Sequence, residues 1–218
     1  YVACTVGFGV GFGLILAVFL AKKTRLNGLL QSVAFSPYIV SLASIALLWM
    51  WLMNNDFGFL NALLAVFGIP AIDWLGSPKF ALMSLIIINV WKSVGYNALI
   101  LVSALQGIPP HLYEAARLDR ANTWRTFSRI TFPMISPTVF FLALVDVIAA
   151  FKVFETIQII TQGGPQNSTN TLVFSLYEYG FQFYKVGYAA AIGVVLFFIV
   201  LLFTILYFAV LSKRVHYQ

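Results

Sequence analysis

The chain has 218 residues, of which 61% are apolar and only 9% are charged, with a formal net charge of +6. A soluble domain of this length is nearer half apolar and a quarter charged, so the composition describes a polytopic membrane protein and excludes a soluble enzyme or a nucleic-acid-binding domain. The single cysteine, Cys4, excludes an intrachain disulfide, and no Cys/His spacing resembles a metal site.

Five segments, 2–21, 32–53, 80–104, 134–160 and 187–211, are long enough to cross roughly 30 Å of hydrocarbon as helices. They are too long and too continuously apolar to be barrel strands, which alternate over about ten residues. The expected fold is therefore all-α, a transmembrane helical bundle. The first span opens at Tyr1 with no positively charged region before it, unlike a signal peptide. It carries GFGVGFG, with Gly7/Gly11 and Gly9/Gly13 four apart, a spacing that lets helices approach closely in lipid. In the second span, FSPYIV places Pro37 inside the helix, where it predicts a kink. The loop 54–79 is too interrupted to span; within it Phe59 to Phe67 predicts a short interfacial helix, and Trp74 suits the headgroup level.

The third span holds Trp91, Lys92, Tyr96 and Asn97; the fourth holds Asp146, Lys152 and Glu155. Ionisable groups at membrane depth mark either a pair that fixes packing or a pathway. A Lys92–Asp146 ion pair and a Lys152–Glu155 pair, three residues apart, are the packing readings. A polar cavity lined by these residues, with aromatic faces beside hydrogen-bonding groups, is the pathway reading, and such a lining suits a sugar.

Between those two spans, about 105–133, the chain turns charged: HLYEAARLDRANTWRTF. Pro109 and Pro110 start a helix, and Asn122 caps a second one that carries Trp124, Phe127 and Ile130 on one face and stops at Pro133. A basic amphipathic helix on lipid headgroups and a helix that docks into a groove of another protein both fit this pattern. The later loop TQGGPQNSTNT is a turn punctuated by Gly163, Gly164 and Pro165.

Basic residues set the orientation. Lys22, Lys23 and Arg25, then Arg117, Arg120, Arg125 and Arg129, then Lys213 and Arg214 all fall on one side, whereas loops 54–79 and 161–186 hold only Lys79 and Lys185. The positive-inside bias makes the first side cytoplasmic, with the C-terminus inside. Tyr1 then lies outside, and a chain with a cytoplasmic N-terminus is expected to have one more span before it.

The stretch LYEAARLDRANTWRTFSRITFPMISPT resembles the EAA loop of permease subunits of binding-protein-dependent ABC importers. The resemblance continues through FKVFETIQIITQGGPQNSTNTLVFSLYEYGFQFYKVGYAAAIGVVLF and FSPYIVSLASIALLWMWLMNNDFGFLNALL. It points to the carbohydrate-uptake branch, with maltose-type and glycerol-3-phosphate-type permeases, and to the first permease of the pair. It implies a single transmembrane domain over 1–218, five spans present of an expected six, with the loop 105–133 as a cytoplasmic coupling helix. It also implies a second permease subunit, two ATP-binding cassette ATPases and an extracytoplasmic solute-binding protein, in a bacterial or archaeal inner membrane. ATP and magnesium belong to the ATPases; no G-x-x-x-x-G-K-[ST] loop occurs here, and no cofactor is expected on this chain.

Carried over, Glu114, Ala115, Ala116, Arg117, Asp119, Arg120, Ala121, Ile130 and Pro133 are the ATPase-coupling residues, and Gly163, Gly164 and Pro165 the expected contact with the solute-binding protein. Arg120 departs from the family pattern, which has glycine there, a residue suited to a turn of positive φ. Phe132 stands where leucine is common. An ion-gradient-driven secondary transporter, with Asp146 and Lys92 as a proton relay, is the alternative function.

Overall fold

The computed structural model describes residues 1–211, so Lys213 and Arg214 lie outside the described residues. Within them the chain is helical, with no β-strand. In order it forms α1 (Val2–Leu20), α2 (Arg25–Ile39), α3 (Leu42–Leu52), α4 (Phe59–Val66), α5 (Pro78–Gln106), α6 (Pro110–Leu118), α7 (Thr123–Thr126), α8 (Phe132–Phe151), α9 (Leu172–Tyr177) and α10 (Val186–Leu211). Wider π turns occupy Phe127–Thr131, Ile157–Thr161 and Glu178–Gln182. Val2–Leu20, Pro78–Gln106, Thr123–Phe151 and Val186–Ala209 are long and apolar enough to cross a membrane, and α2 with α3 form a fifth, bent span.

The centre of the bundle is α5, held between α1 and α8. Val10, Ala17 and Leu20 of α1 interlock with Ala98, Leu101, Val102 and Leu105 of α5 and with Ile135 and Leu142 of α8. Lipid supplies no hydrophobic drive between helices, so close packing has to hold this contact. The glycines permit it. A Cβ on Gly13 would sit 2.7 Å from Asn97 Cβ, and one on Gly9 would sit 3.0 Å from Ser93 Oγ. Gly7 and Gly11 face open space and meet nothing within 4 Å, so only one of the two four-residue glycine pairs packs. Gly13→Val is accordingly expected to destabilise the protein by roughly 1–3 kcal/mol, whereas Gly7→Ala leaves it unchanged. Thermal unfolding in detergent separates the two.

The second span differs from expectation. Pro37 does not make the bend. The carbonyl it cannot bond, that of Val33, receives the Ser36 hydroxyl at 2.8 Å, and α2 continues to Ile39. The chain then breaks at the extended Val40 and at Ser41, and α3 leaves at 97° to α2. The helix expected to stop at Pro133 instead runs unbroken from Thr123 to Phe151. The π turn closes with the Phe132 N–H on the Phe127 carbonyl, taking up the register just before the proline that has no donor. At the other end the span stops at Phe151, not at 160, and Lys152 is its C-cap.

The interfacial helix appears as α4, pinned by the buried Asn61. Its amide donates to the Ile72 carbonyl at 3.0 Å and its oxygen accepts from the Trp74 indole at 2.9 Å. Trp74 is therefore anchored into the fold and packs beside Ile45, Trp49, Met53 and Ile88 rather than serving only as a headgroup anchor. The region 172–182, read as loop, is helical and packs on α10. α10 also docks on α8, where the Tyr207 hydroxyl donates to the Phe140 carbonyl at 2.7 Å.

Candidate functional site

A cavity of about 530 Å³ opens where three helices meet two interruptions of helix. Tyr38 and Leu42 line it from either side of the α2–α3 break, and Lys152, Val153, Phe154, Glu155 and Thr156 from the segment after α8. Irregular backbone at membrane depth is tolerated where it is buried in protein or lines an aqueous cavity. Asn89, Lys92, Ser93 and Tyr96 of α5, Val145, Asp146, Ala149 and Ala150 of α8, and Tyr1 and Thr5 at the start of α1 complete the wall.

Of the seven residues expected in a pathway, five line this cavity: Lys92, Tyr96, Asp146, Lys152 and Glu155. Asn97 stands behind them. It is fully buried, and its amide donates to Asp146 Oδ2 at 2.7 Å, fixing the carboxylate from the rear. Trp91 turns away and meets Trp49 edge-on, with ring centroids 5.5 Å apart. The sequence reading missed Tyr38, whose ring stacks on Tyr96 at 4.3 Å with an interplanar angle of 11°. The pair presents an aromatic face beside hydrogen-bonding groups. The FSPYIV stretch that raised Pro37 held that residue too, but only the chain break turns it toward α5.

Neither expected ion pair forms. Lys92 Nζ donates to the carbonyls of Pro37, Tyr38 and Val40 at 3.2, 3.1 and 2.7 Å, and Asp146 is held by Asn97. Lys152 caps α8 and Glu155 opens the next helical stretch, with the non-helical Val153 and Phe154 between them, so they do not share the helical turn that an i, i+3 pair needs. The lysine that looked like a partner for Asp146 is drawn to the negative end of a broken helix.

The charged segment forms α6, then α7, with a turn between. Its inner side joins the core: Leu112 and Tyr113 pack against the α1–α5–α8 cluster, and Ala116 is buried. Tyr113 Oη lies 3.2 Å from Thr131 Oγ1, tying α6 directly to the helix that becomes α8. Its outer side carries Glu114, Ala115, Arg117, Asp119 and Arg120, all exposed, with Leu118 85% and Trp124 74% exposed. Ala121, Ile130 and Pro133 are half-buried, so of the three alanines among the expected coupling residues, Ala115 alone is exposed. Asn122 caps α7 as expected, its side-chain oxygen accepting the Arg125 N–H at 2.8 Å.

Arg120 explains its own oddness. Its φ is +51°, the left-handed conformation that glycine adopts freely. The Ala121 N–H reaches the Ala116 carbonyl at 2.9 Å and the Arg120 N–H the Arg117 carbonyl at 3.0 Å. That pair of bonds is a Schellman closure, with arginine in the glycine position. Arg120→Gly is expected to stabilise the protein by about 1 kcal/mol, read as a raised unfolding midpoint.

In the loop after the second π turn, Gly163 is buried at φ +81° against the Phe174 ring, and the Gly164 carbonyl accepts the Thr169 hydroxyl at 2.7 Å. Pro165 follows through a cis peptide bond. These three residues build the loop, and its exposed tip is Gln166 and Asn167.

Residues 9–217 match the family described as "Binding-protein-dependent transport system inner membrane component". Similar proteins include the sn-glycerol-3-phosphate transport system permease protein UgpA of Pectobacterium atrosepticum, 36% identical over 95% of this chain and 72% of the relative. The trehalose/maltose transport system permease protein MalF of Thermococcus litoralis is 33% identical over 91% of this chain and 67% of its own length. Among solved structures, a chain of a bacterial alginate ABC transporter, crystallised with an alginate pentasaccharide-bound periplasmic protein, superposes with a TM-score of 0.88 at 24% identity, covering 98% of this chain and 75% of that one. That last likeness, under 25% identical, shows the fold alone. The match along nearly the whole chain, with relatives above 30% identity, places the protein in the binding-protein-dependent transport system inner membrane component family, as a permease subunit of an importer.

Proposed function

We propose that this chain forms half of the pathway by which a carbohydrate, handed over by a solute-binding protein outside, crosses a bacterial or archaeal inner membrane by alternating access. A second, different permease forms the other half. Two ATP-binding cassette ATPases, which use ATP and magnesium, sit on the cytoplasmic side against α6, and this chain carries no cofactor of its own. The single observation that carries the reading is the cavity between broken helices, whose wall holds both the stacked Tyr38–Tyr96 face and the Asp146 carboxylate. Sugars combine apolar C–H faces with many hydroxyls, so an aromatic face and a charged acceptor together suit them. The substrates in the relatives' names, trehalose, maltose and glycerol-3-phosphate, belong to the same chemical class of polyhydroxylated molecules.

The charged loop supplies the coupling. Glu114, Ala115, Arg117, Asp119 and Arg120 face outward on a short helix closed at its end by the Arg120 turn. Force on that helix passes through the Tyr113–Thr131 contact into α8, which carries Asp146 into the cavity wall. A push of the ATPases against α6 thus shifts the same helix that meets the substrate. With this loop cytoplasmic, the C-terminus is cytoplasmic too, and the Gln166–Asn167 tip faces the binding protein.

The test is reconstitution of the complete importer with its binding protein in proteoliposomes, followed by uptake of labelled maltose, trehalose and glycerol-3-phosphate. Uptake of at least one, driven by internal ATP, is expected. Brisk binding-protein-stimulated ATP hydrolysis with none of the three imported would reject the carbohydrate assignment.

A further inference from the structure

Lys92 has a task that neither its membrane depth nor its sequence context announces. The α2–α3 break leaves carbonyls at the end of α2 without intrahelical donors, a costly state in a membrane interior. Three of these carbonyls, of Pro37, Tyr38 and Val40, receive the Lys92 ammonium at 3.2, 3.1 and 2.7 Å. They lie at the negative end of the α2 dipole, where a cation is electrostatically favoured. An ammonium has three donors, so this arrangement occupies its whole donor set.

The same contact places an aromatic ring. Tyr38 offers its carbonyl to Lys92, lies with its ring centroid 5.7 Å from the ammonium, and stacks on Tyr96, one helical turn along α5 from Lys92. One turn of α5 therefore grips the end of α2 twice, by cation and by ring. Gly95 makes the approach possible, because the Ala34 carbonyl occupies the space a Cβ would take. Asp146, the acid that also lines the cavity, is bonded to Asn97 and not to Lys92.

We infer that Lys92 is a positioning residue of the cavity: its ammonium closes the break in the second span and so holds the Tyr38–Tyr96 wall in place, and it is not a counter-ion for an anionic substrate. The inference rests on the proposed function only in taking the cavity as the carbohydrate path.

The test uses the whole importer in lipid nanodiscs with Cys4→Ser and spin labels at Ile39→Cys, 72% exposed at the end of α2, and at Ser103→Cys, exposed on α5. Pulsed EPR reads the distance between the two helices. A narrow distribution is expected with Lys92 present. Lys92→Met should broaden it, raising the displaced population about tenfold, and weaken uptake of maltose and glycerol-3-phosphate alike, because the wall and not a charge for one substrate is lost. Lys92→Arg, whose guanidinium offers five donors, should restore both. An unchanged distribution in Lys92→Met overturns the inference, as does loss of glycerol-3-phosphate binding in that variant with the distance intact, the signature of a counter-ion. Should Lys92→Met fail to assemble, Lys92→Arg decides alone: a wild-type distribution upholds the inference and a broadened one overturns it. The distance readout needs no substrate. A complex that shows the expected rescue and imports no carbohydrate rejects the assigned path and leaves the role of Lys92 standing.

Discussion

Glu114→Arg is expected to cut uptake on the order of a hundredfold while the membrane spans stay folded. Glu114 lies on the outward side of α6, and its side chain takes no part in the core. The same loop already carries Arg117, Arg120, Arg125 and Arg129. Reversing its sign removes one negative contact and places a further cation in the docking face, a change of about 3 kcal/mol at a close charge pair. The loss should appear as failure of the ATPases to co-purify with the permease, or as ATP hydrolysis no longer stimulated by the binding protein. The helical content and unfolding midpoint of the isolated permease should not move. Unchanged stimulation and uptake would remove α6 from the coupling path.

Asp146→Asn is the second large effect, and it acts at the opposite end of the same lever. The substitution keeps an oxygen for the Asn97 amide to donate to, so the local fold survives. It removes the charge that, on the proposed pathway, would make Asp146 a strong acceptor of substrate hydroxyls. A charge-assisted hydrogen bond contributes about 1.5–3 kcal/mol, so substrate KM should rise roughly tenfold to a hundredfold. ATP hydrolysis without substrate should be unaffected. The removal of a carboxylate at membrane depth should also leave the protein as stable as before or more so. A KM within twofold of the wild type would take Asp146 out of the pathway.

The two halves of this lever were legible in the sequence to different degrees. Long apolar runs locate α1, α5 and α10 to within two residues, because only a continuous helix satisfies its backbone in lipid. The Asn122 cap was legible as well, since it follows from local backbone chemistry. The left-handed turn at Arg120 was suggested only by the glycine of the family pattern, and the arginine itself carried no sign of it. The break at Val40–Ser41 was not. Val40 carries no breaking signal, and the groups that meet the end of α2 lie more than fifty positions away, in the Lys92 ammonium and the close approach at Gly95. Pro37 drew attention in its place, and its missing bond turned out to be made good by Ser36. Sequence spacing likewise put Lys92 and Asp146 at comparable depth, but it does not fix side-chain direction, and the two point to different partners. Trp91 was assigned to the cavity for the same reason, and it packs on Trp49.

The central claim is that motion at the charged loop, driven by ATP, opens the cavity at the far end of α8. Uptake of labelled carbohydrate by the reconstituted importer tests it most directly, with either internal ATP or an imposed proton gradient as the sole energy source. Uptake is expected with ATP and binding protein, and none with the gradient alone. Gradient-driven uptake that persists without ATP would contradict it and would make the chain part of a secondary transporter.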